Sequence, residues 1–333
     1  GIMTRKAARA CPECGEKVAA EPVDRRSFLR IAGGAAAAAA LLRAPAWAQE
    51  AKSNKTAEEL IKELYGSLND SQKKAVVGTI DDPKRLQIFN AAIGTKIGDA
   101  YSKPQQELVG RILRSIAADD EGWKLLSRDG TWDGTKAFEN CGANLFGDPS
   151  GKFTWVFSGH HLTIRCDGNT GEGVAFGGPL YYGHSPNGYS DKNLFFYQTK
   201  SALAVFEALT EAQRKQASLT DTPGEGLPSI KFRAPGEARP GVLLGELSKE
   251  AQGLVEKVMM DLLSPYRKTD AERVLQIVKG QGGMEKMNLA FYRDEDSKPK
   301  QPWTFWRLEG SGFVWNFRVL PHVHTFVSIS AKA

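Results

Sequence analysis

The chain has 333 residues, 41% hydrophobic and 25% charged, with a formal net charge of +5. That length and apolar fraction support a sizeable buried core and exclude an intrinsically disordered chain. Eight of the 44 basic and four of the 39 acidic residues lie within residues 1–48, so the remainder balances near +1 and charge makes no case for a nucleic-acid partner.

The N-terminal stretch reads as a targeting segment. Arg25-Arg26-Ser27-Phe28-Leu29-Arg30 precedes a short Gly/Ala-rich apolar run from Ile31 to Leu42, and Ala46-Trp47-Ala48 places small residues where a signal peptidase reads them. A basic region, a short apolar region and an A-x-A end together make a removable signal peptide over residues 1–48. The Arg pair resembles the twin-arginine export signal, with Arg30 where Lys is usual. The expectation is a periplasmic or extracellular protein handled by the twin-arginine export machinery. No other segment reaches membrane-spanning length. Cys11-Pro12-Glu13-Cys14 has the spacing of half a zinc knuckle but belongs to the leader. Beyond the leader only Cys141 and Cys166 remain, and the sequence leaves a disulfide or two separate buried thiols open.

Residues 49–333 read as a single large domain. Helical spacing runs through 54–128, with Leu60, Ile61 and Leu64 on one face. Residues 137–183 turn strand-like: Phe153-Thr-Trp155-Val-Phe157 and Leu162-Thr-Ile164 alternate, and the pattern suggests one strand over 155–166. Helix returns at 194–218, a Pro/Gly-rich loop spans 221–242, and two more helices are expected near 248–264 and 268–279. Strand-like runs at 287–293, 302–309 and 312–328 close the chain. Helices and strands come in blocks, which favours an α+β fold with a largely antiparallel sheet. A faint repeat joins Leu68-Asn-Asp-Ser-Gln72 to Leu209-Thr-Glu-Ala-Gln213 and Leu247-Ser-Lys-Glu-Ala-Gln252; Asn69 with Gln72 and Thr210 with Gln213 have capping-box spacing.

All five histidines fall in three short clusters: Gly159-His160-His161-Leu162, Gly183-His184-Ser185-Pro186 and Pro321-His322-Val323-His324. These pieces, with Asp81-Asp82-Pro83-x-Arg85, Phe146-Gly147-Asp148-Pro149, Pro179-Leu-Tyr-Tyr-Gly183 and Arg307-x-x-Gly310, resemble the bacterial domain-of-unknown-function 3500 family over most of residues 60–328. The resemblance implies an alignment and no settled activity. The family's acidic residue in the penultimate strand and its Arg-Asp pair after the HxH are absent here, where the chain reads Val314-Trp315-Asn316 and Phe326-Val327-Ser328.

Histidine is the commonest metal ligand, and residues two apart on a strand share a face, so His322 and His324 can reach one ion together. Of His160 and His161, strand alternation allows one to join them; Gly159, Thr163 and Arg165 favour His161. Three His ligands with an open position suit zinc first, or copper or iron. Glu172, Asp167 and Glu139 are the nearest carboxylates along the chain. His184, Tyr182 and Trp155 are expected at a pocket rim. The leading reading is an exported metal-dependent hydrolase acting on a small molecule. The alternatives are a small-molecule-binding protein with an aromatic cleft and structural histidines, and a metal carrier without turnover. No P-loop, dinucleotide fingerprint or nucleophile elbow is present.

Overall fold

The computed structural model describes residues 55–168, 173–234, 236–295 and 297–331. The expected leader, with Cys11 and Cys14, and the candidate Glu172 lie outside these residues.

Helix α1 (Ala57–Ser67) starts at Thr56, which forms a reciprocal capping box with Glu59, and buries Ala57, Leu60, Ile61 and Leu64. Helix α2 (Asp70–Val76) starts at Asn69 with the same device through Gln72, as its spacing predicts. It runs directly into the two-residue strand β1 (Val77–Gly78). Helices α3 (Ile97–Ala100), α4 (Lys103–Ile116) and α5 (Asp120–Ser127) follow, and then β2 (Gly142–Gly147), β3 (Phe153–Gly159), β4 (Leu162–Cys166) and β5 (Leu180–His184). The second half repeats the order: α6 (Phe196–Ala208), α7 (Glu211–Ala217), β6 (Ser218–Leu219), β7 (Val242–Leu243), α8 (Lys249–Leu263) and α9 (Lys268–Gly280). Four strands end it, β8 (Asn288–Tyr292), β9 (Phe305–Gly310), β10 (Phe313–Arg318) and β11 (Val323–Ile329). No helix among the described residues is long and apolar enough to cross a membrane.

One open sheet runs through both halves in the order β1-β2-β3-β4-β5-β11-β10-β9-β8-β6, with β7 added on β8. Only the short strands β1 and β6 pair in parallel; the rest are antiparallel. The fold is the expected single-domain α+β. Two strand expectations need correction. Residues 155–166 form a hairpin, with Gly159 paired to Leu162 across a turn at His160-His161. Residues 312–328 likewise form two strands, β10 and β11. Continuous burial on both faces hid these turns, because no strand keeps a polar side to mark its parity.

The faint repeat is a duplication of the whole fold. Gln72 donates to the Ala100 carbonyl at 3.0 Å, and Gln213 donates to the Glu246 carbonyl at 3.2 Å. Lys73 sits over the Tyr65 ring and Arg214 over the Phe206 ring. Lys103 pairs with Glu139 as Lys249 pairs with Glu285. Gln106 reaches back to the Tyr101 carbonyl as Gln252 does to Leu247. Gly78 stands beside Phe146 in β1–β2 where Leu219 stands beside Tyr292 in β6–β8. The halves join where the last strands of each, β5 and β11, pair antiparallel at the middle of the sheet.

Helices cover one face of the sheet, where Trp155, Phe157, Tyr182, Trp306, Trp315 and Phe317 join the main core with α1, α4, α6 and α8. Loops cover the other face in smaller apolar clusters, such as Tyr181, Val314 and Phe326 beneath Ile230. Polar side chains buried between those clusters build the site.

Candidate metal centre

The turn between β3 and β4 is held from several sides. His161 adopts a left-handed backbone with φ 55°. Its N–H donates to Asn90 Oδ1 at 2.7 Å, and its carbonyl accepts from Gly183 N–H at 2.9 Å and from the Arg128 guanidinium. Arg128 also donates to the Gly183 carbonyl at 2.7 Å, fastening the turn to β5. In the second half the same turn position is Gly312, with φ 73°. A left-handed conformation suits glycine and costs a side-chain-bearing residue roughly 1 kcal/mol, so His161 is kept against a local preference.

The three candidate ligands meet. His322 Nε2 lies 3.2 Å from His161 Nε2 and 3.0 Å from His324 Nε2. All three residues are fully buried. A glycine permits this approach: a Cβ on Gly183 would stand 3.0 Å from His324 Cδ2 and 3.3 Å from His161 Cβ.

Two carboxylates fix the rings from behind. Asp133 Oδ2 is 2.9 Å from His161 Nδ1, and Glu225 Oε1 is 2.9 Å from His324 Nδ1. Glu225 also accepts from Arg318 at 2.5 Å, and Asp133 accepts from the Ser185 hydroxyl at 2.6 Å. Burial raises the Asp133 carboxyl, but its interactions with His160, His161 and Ser185 outweigh it and hold it well below the usual range. Burial pushes the His161 imidazole down to about 3 despite Asp133, and pushes His322 down to about 2 with help from Arg318. An ionised carboxylate only accepts, so His161 and His324 each carry their proton on Nδ1 and present a bare Nε2 to the centre.

His322 Nε2 can donate one proton to one of these nitrogens, which leaves the other nitrogen's lone pair without a donor from it in a buried site. A cation removes the conflict. Nitrogens bound at about 2.0–2.1 Å to one tetrahedral zinc stand about 3.3–3.4 Å apart, close to the spacings found here. Histidines backed by carboxylates are the usual outer arrangement of such sites. The donor set therefore fits a divalent ion.

The other candidates lie elsewhere. His160 keeps its ring centroid 3.8 Å from that of His161, accepts the Gly134 N–H at 3.0 Å, and with Asp133 and His161 forms a second group of ligand atoms. His184 is half-buried and accepts the Leu194 N–H at 3.1 Å. Tyr182 and Trp155 are core residues rather than rim residues: Tyr182 donates to the Leu262 carbonyl at 2.8 Å, and Trp155 is 1% exposed. Glu139 turns toward Lys103, and Asp167 stands against Gly177 at the other end of β4 from His161. Cys141 and Cys166 are both buried and free, so no disulfide joins them. Sequence reasoning missed Asp133 and Glu225, the carboxylates that matter. Neither lies in a motif with its histidine, and Glu225 sits in the Pro/Gly-rich loop over 221–242.

The DUF3500 family, described as a protein of unknown function, matches residues 50–328. The chain belongs to this family. Both halves of the duplicated fold lie within the match, as do all five histidines and both carboxylates. No curated protein and no solved structure matches the chain. The DUF3500 assignment thus brings no activity with it, and the site's chemistry carries the functional argument.

Proposed function

We propose that the chain is an exported metalloprotein holding one divalent ion, zinc by preference, on Nε2 of His161, His322 and His324. The observation that carries this is the convergence of three imidazole nitrogens, two of them stripped of protons by carboxylates on the far side of their rings. Neutral imidazole also suits copper and iron, and zinc is favoured because hydrolytic chemistry is the leading reading. Such an ion supplies Lewis acidity at a fourth position. The protein's part is to orient the rings: Asp133 and Glu225 hold the Nδ1 protons, Arg318 keeps Glu225 in place, and Arg128 fixes the turn that presents His161. Substrate access requires a local opening of the packing, since all three ligand residues are buried. The export route rests on the leader pattern at Arg25-Arg26 and Ala46-Trp47-Ala48.

A second reading is favoured by where the site lies. His161 and Asp133 come from the first half of the fold, and His322, His324 and Glu225 from the second. A metal there pins the halves together, and a buried pin without turnover is the structural alternative. Thermal unfolding and ester or phosphoester hydrolysis, measured with and without chelator, separate them. Hydrolysis lost on chelation supports catalysis. Lowered melting temperature with no hydrolysis at any metal loading supports the structural pin.

A further inference from the structure

The duplication exposes a place where the halves differ in kind. In the first half, Phe146 at the β1–β2 edge is packed over by Ile93, Val156 and Phe89 in an apolar cluster. At the matching edge of the second half, Tyr292 stands in place of Phe146 and a cavity of about 540 Å³ opens beside it. Leu219, Pro223, Ala238 and Pro240 give this cavity apolar walls, and Arg239 and Tyr292 give it polar groups.

Those polar groups are unspent. Tyr292 is 3% exposed, and its hydroxyl has no hydrogen-bond partner among the described residues. Arg239 makes no ion pair among them, and its Nε is buried without a partner. The neighbouring Arg233 is already taken by Glu309 and Glu237, each at 2.8 Å. A buried guanidinium N–H left unmade is costly, and Arg239 and Tyr292 both line the cavity, so an acceptor that fills it would satisfy the guanidinium and engage the phenol.

We propose that this cavity is a second ligand site, which binds a small organic monocarboxylate with an apolar or aromatic body. The guanidinium of Arg239 and the Tyr292 hydroxyl hold the carboxylate, and the Leu219, Pro223 and Pro240 walls take the body. The volume falls within the range of small-molecule pockets. Asp221 on the lining disfavours multiply charged anions such as phosphate. None of the three histidines lines it.

The test uses benzoate as probe and benzamide as its neutral isostere, titrated by calorimetry and by ligand-observed NMR into the folded chain and the variants Arg239→Met and Tyr292→Phe. Saturable benzoate binding is expected, with benzamide about tenfold or more weaker, because a charge-assisted bidentate contact is lost. Arg239→Met is expected to weaken benzoate about tenfold, and Tyr292→Phe several-fold, with melting temperatures close to that of the parent. Tyr292→Phe removes one oxygen and keeps the ring, so it decides the matter if Arg239→Met does not fold. Absence of saturable benzoate binding to the parent chain, or binding undiminished in Tyr292→Phe, overturns the proposal.

Discussion

His161 and Gly312 occupy one position in the two halves of the fold. Each is the second residue of a two-residue turn, between β3 and β4 in the first half and between β9 and β10 in the second, and both have a left-handed backbone, φ 55° and 73°. The turn geometry is inherited by both halves, and glycine is the residue that accepts it without strain. A histidine there is explained by its side chain, which reaches Asp133 on one side and His322 on the other.

This separates backbone from ligand effects. His161→Gly and His161→Ala both delete the imidazole and are expected to abolish metal binding equally. His161→Gly should be the more stable of the two by about 1 kcal/mol, because alanine retains the left-handed cost. Urea unfolding of the two metal-free variants checks the difference, and equal stabilities would contradict the turn assignment.

Asp133 and Glu225 act through the rings they orient. Asp133→Asn and Glu225→Gln keep size and hydrogen-bonding capacity but no longer require the proton to sit on Nδ1. Each is expected to weaken metal affinity about 10- to 100-fold. Competition with a chromophoric chelator measures this, and unchanged affinity in both variants would remove the carboxylates from the site.

Glu58 offers a pH test far from the histidines. Its carboxylate accepts from Arg267 at 2.6 Å, and although burial raises its pKa, Arg267 brings it down from 4.5 to about 2. A carboxyl depressed in the folded state contributes stability that is complete above the unfolded value and is lost as pH falls toward the folded one. Glu58→Gln should therefore cost about 2 kcal/mol at neutral pH, with the gap to the parent closing between about pH 4.5 and pH 2. Urea unfolding across that range reads the gap; a gap independent of pH would contradict the ion-pair assignment.

The duplication was faintly legible in the sequence, and the centre partly so. Capping boxes at Asn69-Gln72 and Thr210-Gln213 repeat because each helix start needs its orphan N–H groups satisfied locally. The HxH pair was readable from strand alternation, because His322 and His324 bring their Nε2 atoms to 3.0 Å. His161 was singled out on a premise that does not hold: it is a turn residue and not part of a strand, so Gly159 and face parity were not what brings it to the site. The hairpin itself was hidden because His160-His161 carries no Asn-Gly type signal. Asp133 and Glu225 were invisible because their partners are brought to them only by tertiary folding.

Because the ligands come from both halves, cutting the chain at the exposed Asp191–Lys192 link tests the architecture. Co-produced fragments ending at Asp191 and beginning at Lys192 are expected to assemble one to one through β5 and β11, with metal tightening the association. Size-exclusion chromatography with and without chelator reports this. Fragments that assemble equally well with metal removed would argue against an ion bridging the halves.

The most direct measurement is elemental analysis of the native protein, purified without chelator or histidine tag, beside His324→Ala prepared identically. The account predicts about one equivalent of zinc, or of copper or iron, in the parent and a loss of most of it in the variant. Absence of metal in the parent, with none taken up on reconstitution, or full occupancy in His324→Ala, would contradict it.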